Sequence, residues 1–434
     1  MAISRDVIRR AAAQPDRPAV TGPCGPVSFG ELAARGRARA DELAARGVGP
    51  GQQVVTSDGD VVALLVDLLA ADLLGAATVV TDARWPDSVR AAAVQAAASA
   101  AAPHGDDVCL VVFTSGSTGT PRPVARTRQS WTFSFPAFSA LTGVGDADTV
   151  LIPGGLSSSL FLFGALHALT MGAAIHPLPR WSPEAAADAC QHCTAVHAVP
   201  AMLAALADRL EPARSRLRTA VCGGAHLRQD VDAALRRAGV TVVDYYGAAE
   251  LSFVAIRRPG APAGVMRPFP NVEVDIRDGV IWARSPYLAL SVERDHAGFA
   301  TVGDLGVRRD DGTLTVAGRA DGVITTGGST IIPEAVEEVL RHAPNVADVA
   351  VVGRAHDTLG EVVVAVVEPG DDGVALHDLR RNLRAWAAEH LTPAERPRVW
   401  YAVDRLPRTA SGKVARAQVV AGLADGTLSA RTLS

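Results

Sequence analysis

The sequence predicts an α/β fold: a large N-terminal domain of parallel-type sheets with helices plus a small β unit, then a small α+β C-terminal domain. Three observations carry this. Between residues 149 and 243, short apolar runs alternate with helical patterns, the signature of a layered sheet with crossover helices. From Asn271 the pattern changes to strict alternation broken by turns. Beyond Gly318 a compact mixed segment follows, so the boundary is read between Ala320 and Asp321, giving domains 1–320 and 321–434.

The chain has 434 residues, enough for two or more cores. Its net charge of −4 points to neither nucleic acid nor an anionic membrane. Residues 1–10 carry charges where a signal peptide needs an apolar core. The apolar stretch Val61 to Val80 is interrupted by Asp67 and Asp72, which favours a buried helix over a membrane span. Five sparse cysteines argue against a disulfide scaffold and fit a cytoplasmic protein. Cys190-Gln191-His192-Cys193 is half a metal motif with no second half, so packing cysteines are expected there.

Taken in order, the chain opens with P-A-V and V-S-F-G-E-L, then an Ala/Leu/Arg helix with Leu32, Gly36, Leu43 and Ala44 toward one face. Gly47 and Pro50 end it, and Ala63 to Gly75 reads as an apolar helix. Asp82 to Asp107 is alanine-rich and reads as a shortened N-terminal part. Val108 to Phe113 is a buried strand. Thr114, Ser115, Gly116, Ser117, Thr118, Gly119 and Thr120 follow it, and Pro121 stops the run. Glycines bring backbone N–H groups close to a ligand, and hydroxyls add rotating donors. Such a loop suits a polyphosphate. It lacks the lysine of the common phosphate loop, and neither G-x-G-x-x-G nor G-x-S-x-G stands in its place.

Strands are then expected at Thr149–Ile152, Ala173–Ile175, Ala195–Val199, Thr219–Cys222 and Val240–Val243, with helices between them. Their C-terminal ends, where ligands of such sheets sit, carry Pro153-Gly154-Gly155, Gly223-Gly224-Ala225 and Tyr245-Tyr246-Gly247-Ala248-Ala249-Glu250. The C-terminal segment reads as helix Pro333–Arg341, strands Val346–Val352 and Glu361–Val367, helix Leu376–Glu389 and a strand at Val399–Val403.

T-S-G-S-T-G-T-P-R resembles the phosphate loop of the adenylate-forming superfamily, which includes acyl-CoA synthetases and peptide-synthetase adenylation domains. The resemblance runs from the first strand pair to L-P-R-T-A-S-G-K-V-A-R. It implies ATP, Mg²⁺ and coenzyme A as cofactors, a carboxylic acid substrate, and a C-terminal domain that is mobile. Arg122 stands where the family often has lysine, and arginine also binds phosphate. Y-Y-G-A-A-E resembles Y-G-x-T-E, which implies Glu250 as a Mg²⁺ ligand and sets Tyr245, Tyr246, Gly247 and Ala249 against the nucleotide, with Gly224 and Ala225 opposite. Ala249 replaces the family's threonine, and one lost charge-assisted hydrogen bond is worth about 1.5–3 kcal/mol. Asp304 in V-G-D and Arg319 in G-R-A-D are implied at the ribose, and Asp321 at the hinge.

Lys413 is the chain's single lysine. It falls where the family's catalytic lysine falls. Gly327-Gly328 with I-I-P-E-A-V-E resembles the stretch of CoA ligases beside which pantetheine passes; it also reads as a plain helix start. For the acyl pocket, Phe161, Gly223, His226, Asp244 and Leu251 are candidate linings. The expected activity is acyl-CoA ligation through an acyl-adenylate. Transfer to a carrier-protein pantetheine or an amine is the alternative, and a nucleotide-binding protein without catalysis is the reading from another class.

Overall fold

In the computed structural model the described residues are 3–433, apart from 102–106, 116–120, 226, 258–259, 263, 320–323, 327–328, 357–359, 371–374 and 410–411. The largest sheet has nine strands. Their order is Arg267–Pro268, Ser252–Arg257, Thr241–Ala248, Thr219–Gly223, Ala195–Ala198, Thr149–Ile152, Ala174–Pro177, Pro18–Val20 and Val27–Ser28. The central pairs are parallel and both edges antiparallel. Helix Ser159–Met171 packs on the middle strands and buries ten consecutive residues, Phe161 to Thr170. That all-round burial is why its sequence is apolar on every face.

A second sheet runs Gln53–Ser57, Ala77–Thr81, Val108–Ser115, Pro121–Thr127. Its first three strands are parallel, and the last two form a hairpin with Ser115 opposite Pro121. Pro121 therefore opens a strand rather than ending a loop. With no N–H to donate, proline is tolerated at a strand's first position on a sheet edge. Residues 116–120 connect the two strands.

The membrane-length stretch splits into helix Val61–Leu74 and strand Ala77–Thr81. Asp60 caps the helix on the Ala63 N–H (3.0 Å), and Gly75 closes it at φ +71°. Its two charges are partnered: Asp67 by Arg39 at 2.8 Å, and Asp72 by Arg128 at 2.6 Å and by the Ser4 hydroxyl. Among the described residues no helix is long and apolar enough to cross a membrane. In helix Phe29–Ala45, held at its start by a reciprocal Ser28–Glu31 capping box, the buried face is Leu32, Gly36, Ala40 and Leu43. The expected Ala44 is exposed, because the 3.6-residue period places Ala40 there instead. Helix Ile3–Ala13, unanticipated from sequence, packs on this layer.

A four-stranded sheet runs Glu273–Arg277, Val280–Arg284, Asp304–Arg308, Leu314–Arg319. A further sheet joins Ser329–Ile331, Ile324–Thr326, Gly360–Pro369, Val399–Ala402 and Arg431–Thr432, with Val346–His356 also pairing Gly360–Pro369. Its valine-rich strands feed two cores by simple alternation. Val349, Val351, Val363 and Ala365 face one cluster with Leu340 and Leu379. Ala350, Val352, Val362 and Val364 face the other with Leu406 and Val419. The chain forms two compact units: 1–275 with 282–302 and 309–314, and 276–281 with 303–308 and 315–434. The expected boundary at Ala320–Asp321 lies outside the described residues.

Candidate active site

In the first unit the strand ends are stitched to the hairpin of Val108–Ser115 and Pro121–Thr127 by backbone bonds. Strand Thr241–Ala248 delivers Tyr245, Tyr246 and Gly247, and Ala249 and Glu250 form the turn after it. The register shifts between Tyr246 and Gly247. A Cβ at Gly247 would stand 2.1 Å from the Ser252 carbonyl oxygen, so only glycine fits this bulge. The Ala289 N–H donates to the Glu250 carbonyl at 2.8 Å, and the next N–H, Leu290, donates to Ala125 on the hairpin at 2.9 Å. The half-buried Glu250 turn and the hairpin that ends in Thr114 and Ser115 are thereby held by one short segment.

Arg126 braces this junction from below, and nothing in its context singled it out except a charge inside an apolar run. It is fully buried. Nη1 donates to the Ala249 carbonyl at 2.7 Å, and Nη2 donates to those of Tyr287 at 2.7 Å and Ser130 at 2.9 Å. Its guanidinium also lies 5.4 Å from the Trp131 ring centre. Burial lowers its pKa to about 10, against the attraction of Cys109 and Glu250. The carbonyl immediately before Glu250 is thus fixed by a buried cation.

The neighbouring strand ends are tied as well. Asp58 accepts from the Ser157 N–H (3.2 Å) and hydroxyl (2.6 Å), and from the Ala83 N–H (2.9 Å). Gly224, at φ +90°, follows strand Thr219–Gly223, and Ala225 beside it is exposed. Arg122 is exposed on the hairpin. Gly116, Ser117, Thr118, Gly119 and His226 lie outside the described residues.

The acyl candidates are placed as follows. Phe161 and Leu251 are buried, with the Phe161 ring filling the space beside Gly154. Gly223 is buried against Tyr245. Asp244 is buried near Arg257 and Asp232. Burial raises its pKa to about 7; Asp232 adds to this and Arg257 opposes it. Arg257 itself is paired with Asp232 at 2.6 Å.

In the second unit Asp304 is buried at the start of its strand. Arg319 ends strand Leu314–Arg319, and Asp321, Gly327 and Gly328 lie outside the described residues. Lys413 is exposed. Its carbonyl accepts from the Thr409 N–H at 2.7 Å, and the Gly412 N–H donates to Thr409 at 2.9 Å. An arginine grips the chain on each side of this turn. Arg408 pairs with Asp348 at 2.7 Å and reaches the Gly412 carbonyl at 3.3 Å. Arg416 pairs with Glu334 at 2.7 Å and with Glu337 at 2.9 Å. Glu337, in the I-I-P-E-A-V-E stretch, is buried and also accepts from the Val351 N–H at 2.8 Å. Burial raises its pKa against the pull of Arg416 and Arg341.

A divalent ion beside phosphates needs one or two carboxylates, the phosphates supplying the rest. Glu250, half-buried at the strand ends, fits that donor set. No group of three or more metal-ligating side chains occurs among the described residues.

The model of the AMP-binding enzyme family matches residues 7–102 and 88–289, and that of the AMP-binding enzyme C-terminal domain matches 335–413. The chain belongs to the AMP-binding enzyme family. It is similar to an uncharacterized acyl–CoA ligase, YhfT, of Bacillus subtilis (strain 168): 35% identity over 331 residues, 71% of this chain and 67% of that one. It is 31% identical over 371 residues to a Mycobacterium tuberculosis salicyl-AMP ligase / salicyl-S-ArCP synthetase, covering 77% and 65% of the two chains. Among solved structures, amide bond synthetase McbA from Marinactinospora thermotolerans superposes with a TM-score of 0.83 at 26% identity, covering 97% of this chain and 99% of that chain. The adenylate-forming architecture expected from the motifs is the one present.

Proposed function

We propose that this family member activates a carboxylic acid with MgATP and passes the acyl group to the thiol of coenzyme A. A carboxylate oxygen of the acid bonds to the α-phosphorus, and the bond to pyrophosphate breaks. The thiol sulfur then bonds to the acyl carbon, its proton is lost, and AMP leaves. The observation that carries the proposal is the Glu250 turn, joined to the hairpin through Ala289 and Leu290 and braced at Ala249 by Arg126. Glu250 would hold Mg²⁺ together with the phosphates, and the ion would supply charge neutralisation at the reacting phosphorus. Asp304 accepts from the ribose hydroxyls, and Lys413 supplies an ammonium to the transition state. The small domain is taken as 321–434, and a cytoplasmic location is part of the proposal.

A second acceptor has specific support. The relatives described as a salicyl-S-ArCP synthetase and an amide bond synthetase place carrier-bound and amine acceptors beside free coenzyme A. The test is an acid panel with MgATP, reading pyrophosphate release and then AMP formation with coenzyme A, a holo-carrier protein or an amine. Coenzyme A-dependent AMP formation is expected. Acid-dependent pyrophosphate release without any response to coenzyme A would transfer the assignment to the other acceptors.

A further inference from the structure

Tyr245 does not lie along its own strand. Strands Thr219–Gly223 and Thr241–Ala248 are parallel, with Gly223 opposite Tyr245. A Cβ at Gly223 would stand 2.3 Å from Tyr245 Cζ and 2.6 Å from its hydroxyl oxygen. The tyrosine ring therefore crosses the glycine and reaches the strand beyond, where its hydroxyl lies 3.2 Å from His197 Nε2. It spans three strand ends on one face of the sheet.

What lies under the ring is solid. Phe253 meets Tyr245 at 4.7 Å between ring centres, edge to face. His197 stacks on Phe138 at 5.9 Å, and its imidazole fills the space left by Gly164, where a Cβ would be 2.4 Å from Nδ1. Phe163 packs against Phe138 and Phe253 in turn. Tyr245 keeps part of its surface exposed while Gly223 and His197 are buried. The hydroxyl end of the ring is buried, and the part of Tyr245 left exposed lies at the strand ends, where ligands of such sheets bind.

We propose that Tyr245, expected from the motif against the nucleotide, is instead the floor of the acyl pocket, and that the acid activated here is a small monocarboxylic acid with an uncharged tail. This rests on the adenylation reading. A tail directed onto this face of the sheet meets the tyrosine ring, and the volume behind it belongs to Phe138, Phe163 and Phe253. The floor is also uncharged. Burial lowers the His197 pKa to about 3, and His167 adds to that, so the imidazole is neutral and satisfied by the tyrosine hydroxyl. A second carboxylate on the substrate would find no cation in this floor. Asp244 is the adjacent residue, but its charged neighbours are Arg257 and Asp232. It is not aimed to receive a substrate ammonium group, since strand alternation turns it to the face opposite Tyr245.

The test is pyrophosphate release by wild type, Tyr245→Ala, Tyr245→Leu and Tyr245→Phe with acetate, propionate, butyrate, hexanoate, octanoate, benzoate and succinate. Wild type is expected to peak among the shortest acids, with kcat/KM falling about tenfold or more for each methylene beyond the optimum. Tyr245→Ala is expected to move the optimum to longer acids or benzoate, Tyr245→Leu to move it less, and Tyr245→Phe to leave its position unchanged. A wild-type preference for octanoate, benzoate or succinate overturns the inference, whatever the variants do. So does an unchanged length profile in folded Tyr245→Ala or Tyr245→Leu. Absence of pyrophosphate release with every acid defeats the adenylation reading itself, and this inference with it.

Discussion

The two segments expected to do the chemistry are fixed in opposite ways. The Glu250 turn rests on one fully buried guanidinium that donates to three neutral carbonyls, those of Ala249, Tyr287 and Ser130. The Lys413 turn is gripped by Arg408 and Arg416, both partly exposed, on the carboxylates of Asp348, Glu334 and Glu337. A buried cation bonded to carbonyls is shielded from salt. Partly exposed ion pairs weaken as ions screen them, here least at Glu337, whose carboxylate is buried. The first design suits a fixed anchor for phosphate and metal. The second suits the proposed delivery of Lys413, which would then be sensitive to ionic strength.

That contrast can be broken at several points. The largest effect is expected from Lys413→Ala, which should slow acyl-adenylate formation by about 10²–10³-fold, the cost of losing one donor to a developing charge. Single-turnover formation of acyl-AMP checks it, and an unchanged rate removes Lys413 from the mechanism. Next, Arg126→Met should lower stability by about 3 kcal/mol or more, because buried carbonyls lose charged donors. Denaturant unfolding reads this, and the loss should be the same at low and high salt.

Arg416→Met should cost about tenfold in adenylation, of the order of one ion pair with a buried carboxylate. It should leave thioester formation from preformed acyl-AMP nearly intact. Rescue by Arg416→Lys and growth of the wild-type to variant difference at low salt would follow; equal losses in both half-reactions would reduce Arg416 to a structural role. The smallest effect concerns Asp244. Its native pKa is raised to about 7, so the folded chain binds a proton that the unfolded chain releases above about pH 4. The unfolded state then binds fewer protons, and this group's contribution to stability falls as pH rises from about 4 to about 7. Asp244→Asn should flatten that fall in urea midpoints measured across the window.

Much of the fold was legible because the patterns are local. The parallel strands from Thr149 to Val243 and helix Pro333–Arg341 are recognisable from apolar runs between turn residues, and their bounds shift by only a few residues. Strand Thr241–Ala248 is the exception; it runs on through Tyr245 and Tyr246, past the Val243 end expected from the apolar run. Strand Pro121–Thr127 was hidden by its leading proline, and Ile3–Ala13 by its charged face. Arg128 gave no signal either, yet it joins Asp72 and, through it, Ser4 of the first helix. Arg126 and the Tyr245–His197 contact were illegible for a deeper reason. Each depends on which residues distant in sequence are brought together, and neither a buried arginine nor a ring lying over a glycine leaves a periodic trace.

The most direct test of the central claim is ATP–pyrophosphate exchange with the full chain, Mg²⁺ and a series of short acids. The account predicts exchange that requires both an acid and the divalent ion, and that collapses in Glu250→Gln. Exchange absent with every acid, or equally strong without Mg²⁺ or without Glu250, would contradict it.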